Sequence, residues 1–333
     1  MASPPLLTVT NLTKRFPANR GWFPRSDRWL RVVNGVSLDI RRGESLGLVG
    51  ESGCGKSTLA RLITRLQSPS GGTIAFDGMD ITTLGRRAMQ PLRRRMQIIF
   101  QDPYASLDPR MTVAAIVTEP LMNGKRPAAS ECRHIAADLL ATVGLRSEDL
   151  DKYPHAFSGG QRQRIGIARA LCVKPELIIA DEPVSALDVS IQAQILNLMM
   201  RLKKRFGLAY LFISHDIGVV AHFCDRIAVM YAGHIVEIVP AAAFDRYCRH
   251  PYTQALVNAV PRPDPGDPLP PATGRGEPPD PMDLPPGCPY HPRCPHAMAD
   301  CPVRIPPLEP LNTNHQVACW LGHEKRKLIS IGY

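Results

Sequence analysis

The stretch Gly50-Glu51-Ser52-Gly53-Cys54-Gly55-Lys56-Ser57 matches the phosphate-binding pattern G-x-x-x-x-G-K-S/T without a departure. A short apolar run, Ser45–Val49, precedes it, and a helical pattern extends from Lys56 to Leu66. The glycines let backbone N–H groups turn toward phosphates, and the following helix adds its positive end. This strand–loop–helix order therefore predicts a nucleoside triphosphate site.

Three side chains at the end of this loop have predicted roles. Lys56 should reach the β- and γ-phosphates, the Ser57 hydroxyl should bind Mg²⁺, and the neighbouring Thr58 should also contact the nucleotide. Cys54 is interpreted as a spacer without chemistry of its own. Kinases, GTPases and ATPases share such a loop, so other motifs must decide the activity.

Apolar runs alternate with helical patterns on both sides of the loop. Leu7–Lys14 and Val32–Ile40 are predicted strands, and Leu177–Ala180 and Ala209–Ile213 are brief enough for buried parallel strands. The interval from Thr112 to Lys174 lacks a convincing strand pattern and is predicted to be a helical insert. Alternating strands and helices predict an α/β layered fold with a largely parallel sheet.

The composition of the 333 residues limits the class of protein. Hydrophobic residues make up 44% and charged residues 21%, which permits a buried core. The net charge of +10 suits nucleotides, nucleic acid or anionic lipid and does not choose between them. Neither a membrane-spanning run nor a secretory signal is recognisable, so we expect a cytoplasmic location, where nine cysteines serve as thiols or metal ligands.

Prolines mark a domain boundary near the end of the chain. They become frequent after Pro261, and proline is excluded from helix interiors and central strands. We therefore predict a compact domain over residues 6–260 and a proline-rich extension with an irregular, cysteine-containing tail over residues 261–333. No internal repeat is recognisable, which predicts a single nucleotide-binding unit.

Two acids end the apolar run that begins at Leu177. A carboxylate at a buried strand end is costly unless a cation or hydrogen bonds stabilise it. Asp181 is therefore a predicted Mg²⁺ partner, and Glu182, one residue further along, is a predicted general base for the attacking water.

A second helix start with anion-binding character occurs at Ser158-Gly159-Gly160-Gln161. Ser158 can cap the helix, and two glycines expose its first N–H groups. One nucleotide cannot occupy both helix starts within one fold. The sequence therefore predicts a dimer in which each chain covers the nucleotide that its partner holds, with ATP joining the two chains and hydrolysis releasing them.

These segments together resemble the ABC (ATP-binding cassette) ATPase family. Gly50–Ser57 is similar to its Walker A loop, Ser158–Gln161 to its signature and Leu177–Glu182 to its Walker B strand. The resemblance covers residues from about 6 to 260. It implies ATP hydrolysis, a mostly parallel sheet, an antiparallel β subdomain and a helical signature subdomain over about residues 110–172.

Four further residues match positions of that family. Gln101 resembles the glutamine that senses Mg²⁺ and the membrane partner, and Asp188 closes a stretch similar to the D-loop. His215 resembles the switch histidine that contacts the γ-phosphate. Phe16 takes the place of the aromatic residue, usually tyrosine, that stacks on adenine.

Two stretches resemble the oligopeptide/dipeptide importer branch of the family. The segment from Gln101 to Arg110 is similar to its Q-loop region, and His250-Pro251-Tyr252-Thr253-Gln254-Ala255-Leu256 to the start of its C-terminal region. The resemblance implies a second ATPase subunit, commonly a different paralogue although a homodimer is possible, two transmembrane permeases and, indirectly, a periplasmic solute-binding protein. The location implied is the cytoplasmic face of the bacterial inner membrane.

The sequence leaves alternatives for the cargo and for the class of ABC protein. The cargo of this branch also includes nickel chelates, glutathione and opines. A soluble ABC ATPase in a non-transport assembly is the other class, but the chain has neither the long coiled coils of the DNA-repair members nor two cassettes. The arginine run Arg93-Arg94-Arg95 is not a stripe with interleaved aromatics, so we expect no nucleic-acid partner.

Cysteines in the extension suggest a metal site. Cys288, Cys294, Cys301 and Cys319 lack the C-x₂₋₄-C spacing of regular zinc sites, and the first three are each followed by proline. Wide spacings favour an iron–sulfur cluster, and the importer resemblance implies [4Fe–4S]. Zinc, with participation of His291, His296 or His315, and unliganded thiols are the alternatives.

Overall fold

The computed structural model describes residues 4–17, 29–102, 104–122, 127–259, 276–312 and 314–322. The predicted boundary at 260/261 and the proline run that follows Pro261 lie outside the described residues. The strands in chain order are β1 (Leu7–Pro17), β2 (Trp29–Ile40), β3 (Ser45–Val49), β4 (Gly71–Phe76), β5 (Met79–Asp80), β6 (Met96–Ile99), β7 (Leu177–Asp181), β8 (Ala209–Ile213), β9 (Arg226–Tyr231), β10 (His234–Pro240), β11 (Glu309–Asn312) and β12 (His315–Val317).

Helices alternate with these strands. They are α1 (Lys56–Ile63), α2 (Arg86–Arg95), α3 (Val113–Thr118), α4 (Ala129–Thr142), α5 (Gly159–Leu171), α6 (Val189–Phe206), α7 (Ile217–Phe223), α8 (Phe244–Tyr247) and α9 (Pro251–Asn258). Short 3₁₀ turns occur at Glu119–Met122, Ser147–Asp149, Pro154–Ala156, Ala241–Ala243 and His291–Arg293.

The larger sheet carries the phosphate loop. Its strand order is β11-β12-β10-β9-β3-β8-β7-β6, and the neighbours from β9 to β6 run parallel. All residues of β3, β7 and β8 are buried, as expected for parallel strands covered on both faces. The carboxyl ends of β3 and β7 therefore open at one edge of the sheet, where Gly50 and Glu182 follow them.

The residues of a strand divide between two cores. Ile178 and Ala180 belong to the cluster on the side of the helical insert, whereas Leu177 and Ile179 belong to the cluster that packs under the smaller sheet. This alternation follows from the two-residue period of a strand. The smaller sheet is antiparallel, in the order β2-β1-β4-β5.

The interval without a strand pattern is helical in the described residues. Helices α3, α4 and α5 contact one another, and the buried side chains of Val113, Ile116, Leu140 and Ile165 join the larger core. This group of helices positions the Ser158 helix start at the protein surface, because the apolar side of α5 faces inward.

The cysteine-bearing tail is mostly irregular, but two short strands attach it to the main sheet. From residue 276 to residue 308 it consists of turns and bends with one 3₁₀ turn. Strand β12 then pairs antiparallel with β10, with Val317 opposite Glu237. The tail strands therefore extend the same sheet on its β10 side, and the division into two domains stays a prediction.

Candidate functional site

Glycines are required at fixed points of the phosphate loop. The backbone φ angles are +153° at Gly50, +79° at Gly53 and +108° at Gly55, a region that other residues rarely adopt. A Cβ atom at Gly50 would lie 2.1 Å from the Met230 carbonyl oxygen, and one at Gly55 would lie 2.4 Å from that of Val32. The loop conformation therefore depends on these glycines.

The Lys56 ammonium lies inside the loop. The residue is only 6% exposed, and its Nζ donates to the carbonyl oxygens of Gly50 at 2.7 Å and Glu51 at 3.0 Å. Because carbonyl oxygens carry no net charge, these contacts do not neutralise the ammonium group, which can attract an anion that enters the loop. Burial raises the pKa of the adjacent Cys54 thiol, which agrees with its interpretation as a neutral spacer.

Two of the predicted magnesium ligands are hydrogen-bonded to each other. The Ser57 hydroxyl donates to Asp181 Oδ1 at 3.1 Å. Asp181 is 7% exposed, and burial is the main reason that its carboxyl pKa is raised, with the Glu182 carboxylate acting in the same direction. A hydroxyl and a carboxylate are oxygen donors of the kind that Mg²⁺ binds.

Three predicted catalytic residues meet at one carboxylate. Glu182 Oε2 accepts a hydrogen bond from Gln101 Nε2 at 2.9 Å and lies 3.3 Å from His215 Nδ1. Glu182 has a φ of +49°, an unfavourable region for a non-glycine residue, and its N–H donates to the Ile213 carbonyl. Strand β8 thus holds the backbone that points this carboxylate at the loop.

These groups line one cavity of about 510 Å³. Its lining residues are Val32, Ser52, Gly53, Gly55, Lys56, Ser57, Thr58, Gln101, Glu182 and His215. The cavity combines a phosphate-binding loop with a strand-end carboxylate, and this is an arrangement that can bind a triphosphate and activate water.

Phe16 does not line this cavity. It lies near the end of β1, half-buried, with the Lys14 ammonium 4.9 Å from its ring centroid. Its role in stacking on adenine stays a prediction.

The signature helix start also lies outside the cavity lining. Ser158 Oγ accepts the Gln161 N–H at 3.4 Å, and Gln161 Oε1 accepts the Ser158 N–H at 3.0 Å. Gly160 is buried against α6, where a Cβ would lie 2.5 Å from Ile191 Cγ2. Ser158, Gln161 and Asp188 are exposed. The structure therefore does not bring this part of the predicted site to the cavity of its own chain.

Two residues that we did not predict from the sequence hold the phosphate loop from outside. The Glu51 N–H donates to the Tyr252 hydroxyl at 2.9 Å, and Arg293 Nη1 lies 3.0 and 3.1 Å from the two Glu51 carboxylate oxygens. Tyr252 lies in the stretch that resembles the start of the importer C-terminal region, and that resemblance does not indicate a contact with Glu51. Arg293 has no local signal, because its partner lies 242 residues away in the sequence.

The four cysteines of the tail line one small cavity of about 10 Å³, room for about one water. His250, His291 and His296 line it as well, and the cysteines are free thiols. Among the described residues, however, no group of three or more His, Cys, Asp or Glu side chains is arranged to hold a metal ion, so the metal prediction is not confirmed.

The suggestion that His315 joins a zinc site does not agree with the structure. His315 does not line the cysteine cavity. Its Nε2 instead lies 2.7 Å from Glu237 Oε1, in a buried pair between β12 and β10. The histidine is therefore engaged in attaching the tail to the sheet.

Two family models match parts of this chain. Residues 33–185 match the family model described as "ABC transporter", and residues 236–301 match "Oligopeptide/dipeptide transporter, C-terminal region". In the described part of the chain, no helix combines the length and the apolar character needed to cross a bilayer.

Two relatives illustrate the similarity. "Probable peptide ABC transporter ATP-binding protein y4tS" of Sinorhizobium fredii is 50% identical over 314 residues, covering 94% of this chain and 89% of the relative. "Dipeptide transport ATP-binding protein DppF" of Escherichia coli is 45% identical over 316 residues, covering 95% of this chain and 94% of the relative.

A solved cassette has the same fold. The ATP-binding cassette MJ0796, in a dimeric post-hydrolysis state with ADP and phosphate bound, superposes with a TM-score of 0.63 at 29% identity, covering 72% of this chain and all of that one. The chain belongs to the ABC transporter ATP-binding proteins, in their oligopeptide/dipeptide importer family, and is an ATPase coupled to transport.

Proposed function

We propose that this chain is the ATP-hydrolysing subunit of an importer for dipeptides, oligopeptides or related small solutes. The observation that carries the proposal is the convergence of Gln101, Glu182 and His215 on the cavity that the phosphate loop lines. The match of residues 236–301 to the oligopeptide/dipeptide region supports the class of cargo. The peptide and dipeptide transport named for the two relatives supports it as well.

Residues in and beside the cavity have proposed tasks in hydrolysis. Lys56 binds the β- and γ-phosphates. The Ser57 hydroxyl and the Asp181 carboxylate would hold Mg²⁺, which would supply positive charge to the phosphates when bound. Glu182 accepts a proton from water as the water oxygen attacks the γ-phosphorus. The bond from that phosphorus to the ADP oxygen breaks, and the products are ADP and phosphate.

Gln101 and His215 act through Glu182 and the γ-phosphate. Gln101 donates to Glu182 Oε2, so it fixes the direction in which the base points. His215 is 62% exposed on its side chain, so it can turn from the carboxylate toward a phosphate that enters the cavity.

The signature residues act, in this proposal, on a second molecule. Ser158, Gln161 and Asp188 are exposed and lie outside the lining of their own cavity, as expected for groups that cover a partner's nucleotide. The dimeric MJ0796 cassette supports this arrangement. The partner is a second cassette, either a paralogue or a copy of this chain.

Transport requires further subunits. We propose that two permease subunits bind this chain at the cytoplasmic face of the inner membrane, through the segment around Gln101–Arg110, and that a periplasmic binding protein delivers the cargo. The experiment is ATP-dependent uptake of labelled peptides into proteoliposomes containing the chain, its permeases and the binding protein. Uptake of nickel chelates, glutathione or opines instead of peptides would reassign the cargo, and ATPase activity independent of any permease would favour the soluble class.

We also propose that Cys288, Cys294, Cys301 and Cys319 hold a [4Fe–4S] cluster. Two observations support a metal-bound group at these cysteines. They line one cavity, and backbone N–H groups point at their sulfurs: those of Tyr290, His296, Met298, Leu321 and Gly322. Burial raises the pKa of the Cys288, Cys294 and Cys319 thiols, and these N–H donors act in the opposite direction, toward thiolate. Hydrogen bonds to sulfur are typical of cluster ligands.

Anaerobic purification followed by absorbance near 400 nm and metal analysis tests the cluster. Iron and sulfide with a broad absorbance are expected. A colourless protein with zinc, or one without metal, would replace the cluster by zinc or by free thiols respectively.

A further inference from the structure

We infer that Arg293 is a positioning residue for ATP hydrolysis, which holds the phosphate loop through Glu51 from the cysteine-bearing tail. The inference rests on the proposed function, since it concerns the same nucleotide site. According to this inference, the folded tail holds the phosphate loop in place, and an unfolded tail would not.

The pair between Arg293 and Glu51 is sheltered. The side chains are 13% and 29% exposed, and one guanidinium nitrogen, Nη1, reaches both carboxylate oxygens and lies 3.3 Å from the Tyr231 hydroxyl. The guanidinium carbon lies 5.8 Å from the ring centroids of both Tyr231 and Tyr290. An ion pair with this little access to water is screened less than a surface pair and restrains both partners.

Every polar group of Glu51 has a partner. Its N–H donates to Tyr252, its carbonyl accepts from the Lys56 ammonium at 3.0 Å, and its carboxylate binds Arg293. A displacement of Glu51 would therefore move a direct partner of the lysine that binds phosphate. Arg293 is linked to Lys56 through this one residue.

The support behind Arg293 consists of packed aromatic rings from three parts of the chain. Tyr231 ends β9, Tyr252 belongs to α9 and Tyr290 lies in the tail, with ring centroids between 4.5 and 5.4 Å apart. All three are almost fully buried. Arg293 itself ends the 3₁₀ turn His291–Arg293, between Cys288 and Cys294. The fold of the cysteine segment therefore determines where the guanidinium lies.

Charge gives the pair a second effect. Glu51 is the second residue of a loop that binds a polyanion, and its carboxylate repels phosphate unless a cation neutralises it. Arg293 is the cation that contacts it. Removal of Arg293 should therefore weaken ATP binding both by releasing the loop and by exposing a negative charge beside it.

The test is a double-mutant cycle in the full chain, with KM for ATP and kcat measured separately. Arg293→Met should raise KM about tenfold, a loss of one charge-assisted contact, with kcat changed less than about twofold. Adding Glu51→Gln to Arg293→Met removes the exposed charge but leaves the loop released, so KM should recover only in part. Arg293→Lys should have an intermediate KM.

Arg304→Met is the matched control in the same tail. Arg304 pairs with Asp300 at 2.7 Å, but both side chains are more than half exposed, so KM should stay at the wild-type value. An Arg293→Met protein with wild-type KM, or a further and independent loss when Glu51→Gln is added to Arg293→Met, would overturn the inference. If Arg293→Met fails to fold, Arg293→Lys takes its place: a raised KM supports the inference, and a wild-type KM contradicts it. A wild-type chain without ATPase activity even when assembled with its permeases would instead refute the proposed function.

Discussion

The two helix starts that carry glycines differ in how their N–H groups are satisfied. Helix α1 begins after Gly55 without a side-chain cap, and the buried Lys56 occupies its first position. Helix α5 begins after Ser158 with a complete capping box, in an exposed place. The N–H groups at the start of α1 have no side-chain cap and can bind a ligand in the cavity of the same chain. At the start of α5 the Ser158 and Gln161 side chains already form hydrogen bonds with the backbone, and the exposed position lets another molecule approach. The difference supports a site composed of two chains.

The largest expected effect separates binding from chemistry at the α1 site. Glu182→Gln keeps an acceptor for Gln101 but cannot take a proton, so turnover should fall by about 10²–10⁴ while ATP binding is retained. The measurement is phosphate release together with ATP binding at equilibrium, and the exposed Glu148→Gln variant is the control. Wild-type turnover by Glu182→Gln would show that the base is misassigned.

Lys56→Ala should remove the ligand-binding character of α1 itself. Loss of hydrogen bonds to a charged group is worth about 1.5–3 kcal/mol, so ATP affinity should fall by about 10- to 150-fold. Titration with a fluorescent ATP analogue measures it. Lys203→Ala, which removes a lysine paired with Asp225 outside the site, should leave affinity unchanged. Equal affinities of the two variants would contradict the assigned role of the loop.

Ser158→Ala should act on the α5 start and on association. Loss of the cap should destabilise the fold by about 1 kcal/mol, and ATP-driven association of the Glu182→Gln chain should weaken. The control is Thr112→Ala, because the Thr112 hydroxyl also caps a helix by accepting the Ala115 N–H. Thermal unfolding should show a similar loss for both, and light scattering a loss of association for Ser158→Ala alone. Equal ATP-driven association of the Ser158→Ala and Thr112→Ala chains would show that Ser158 is not part of the interface.

The smallest effect concerns the pH dependence of stability. Burial raises the pKa of Asp181 in the folded chain, so the folded state binds its proton more tightly than the unfolded state does. Asp181 therefore makes the nucleotide-free protein less stable as pH rises through and above the usual aspartate range. Asp181→Asn should raise the melting temperature at pH 7 and flatten that slope. A lower melting temperature for Asp181→Asn than for wild type at pH 7 would contradict a raised pKa of Asp181 in the folded chain.

Local patterns were sufficient for the centre of the fold. The predicted strands Ser45–Val49 and Ala209–Ile213 have the bounds that the structure shows, because buried parallel strands are short apolar runs between turns. Helix α1 ends at Ile63 rather than Leu66, since Arg65 adopts a φ of +55° that stops it. Strands β9 to β12 were not predicted, because they are defined by pairing with distant strands and no local sequence pattern shows that pairing.

The predicted site divides in the same way. Motif spacing indicated Lys56, Glu182 and His215, which one sheet edge brings together. The partners of Glu51 and His315 depend on contacts between residues 242 and 78 positions apart, and only the folded chain shows them. The proposed sharing of the site between two chains involves contacts with a second molecule and not contacts within one folded chain.

The most direct test of that composite site mixes two inactive variants in a transporter to which this chain supplies both cassettes. Lys56→Ala retains its signature, and Ser158→Ala retains its phosphate loop. If the chains share sites, each variant alone should hydrolyse ATP poorly, and an equimolar mixture should recover up to about a quarter of wild-type sites, because half of the dimers contain one intact site. A mixture no more active than the mean of its components would contradict the account.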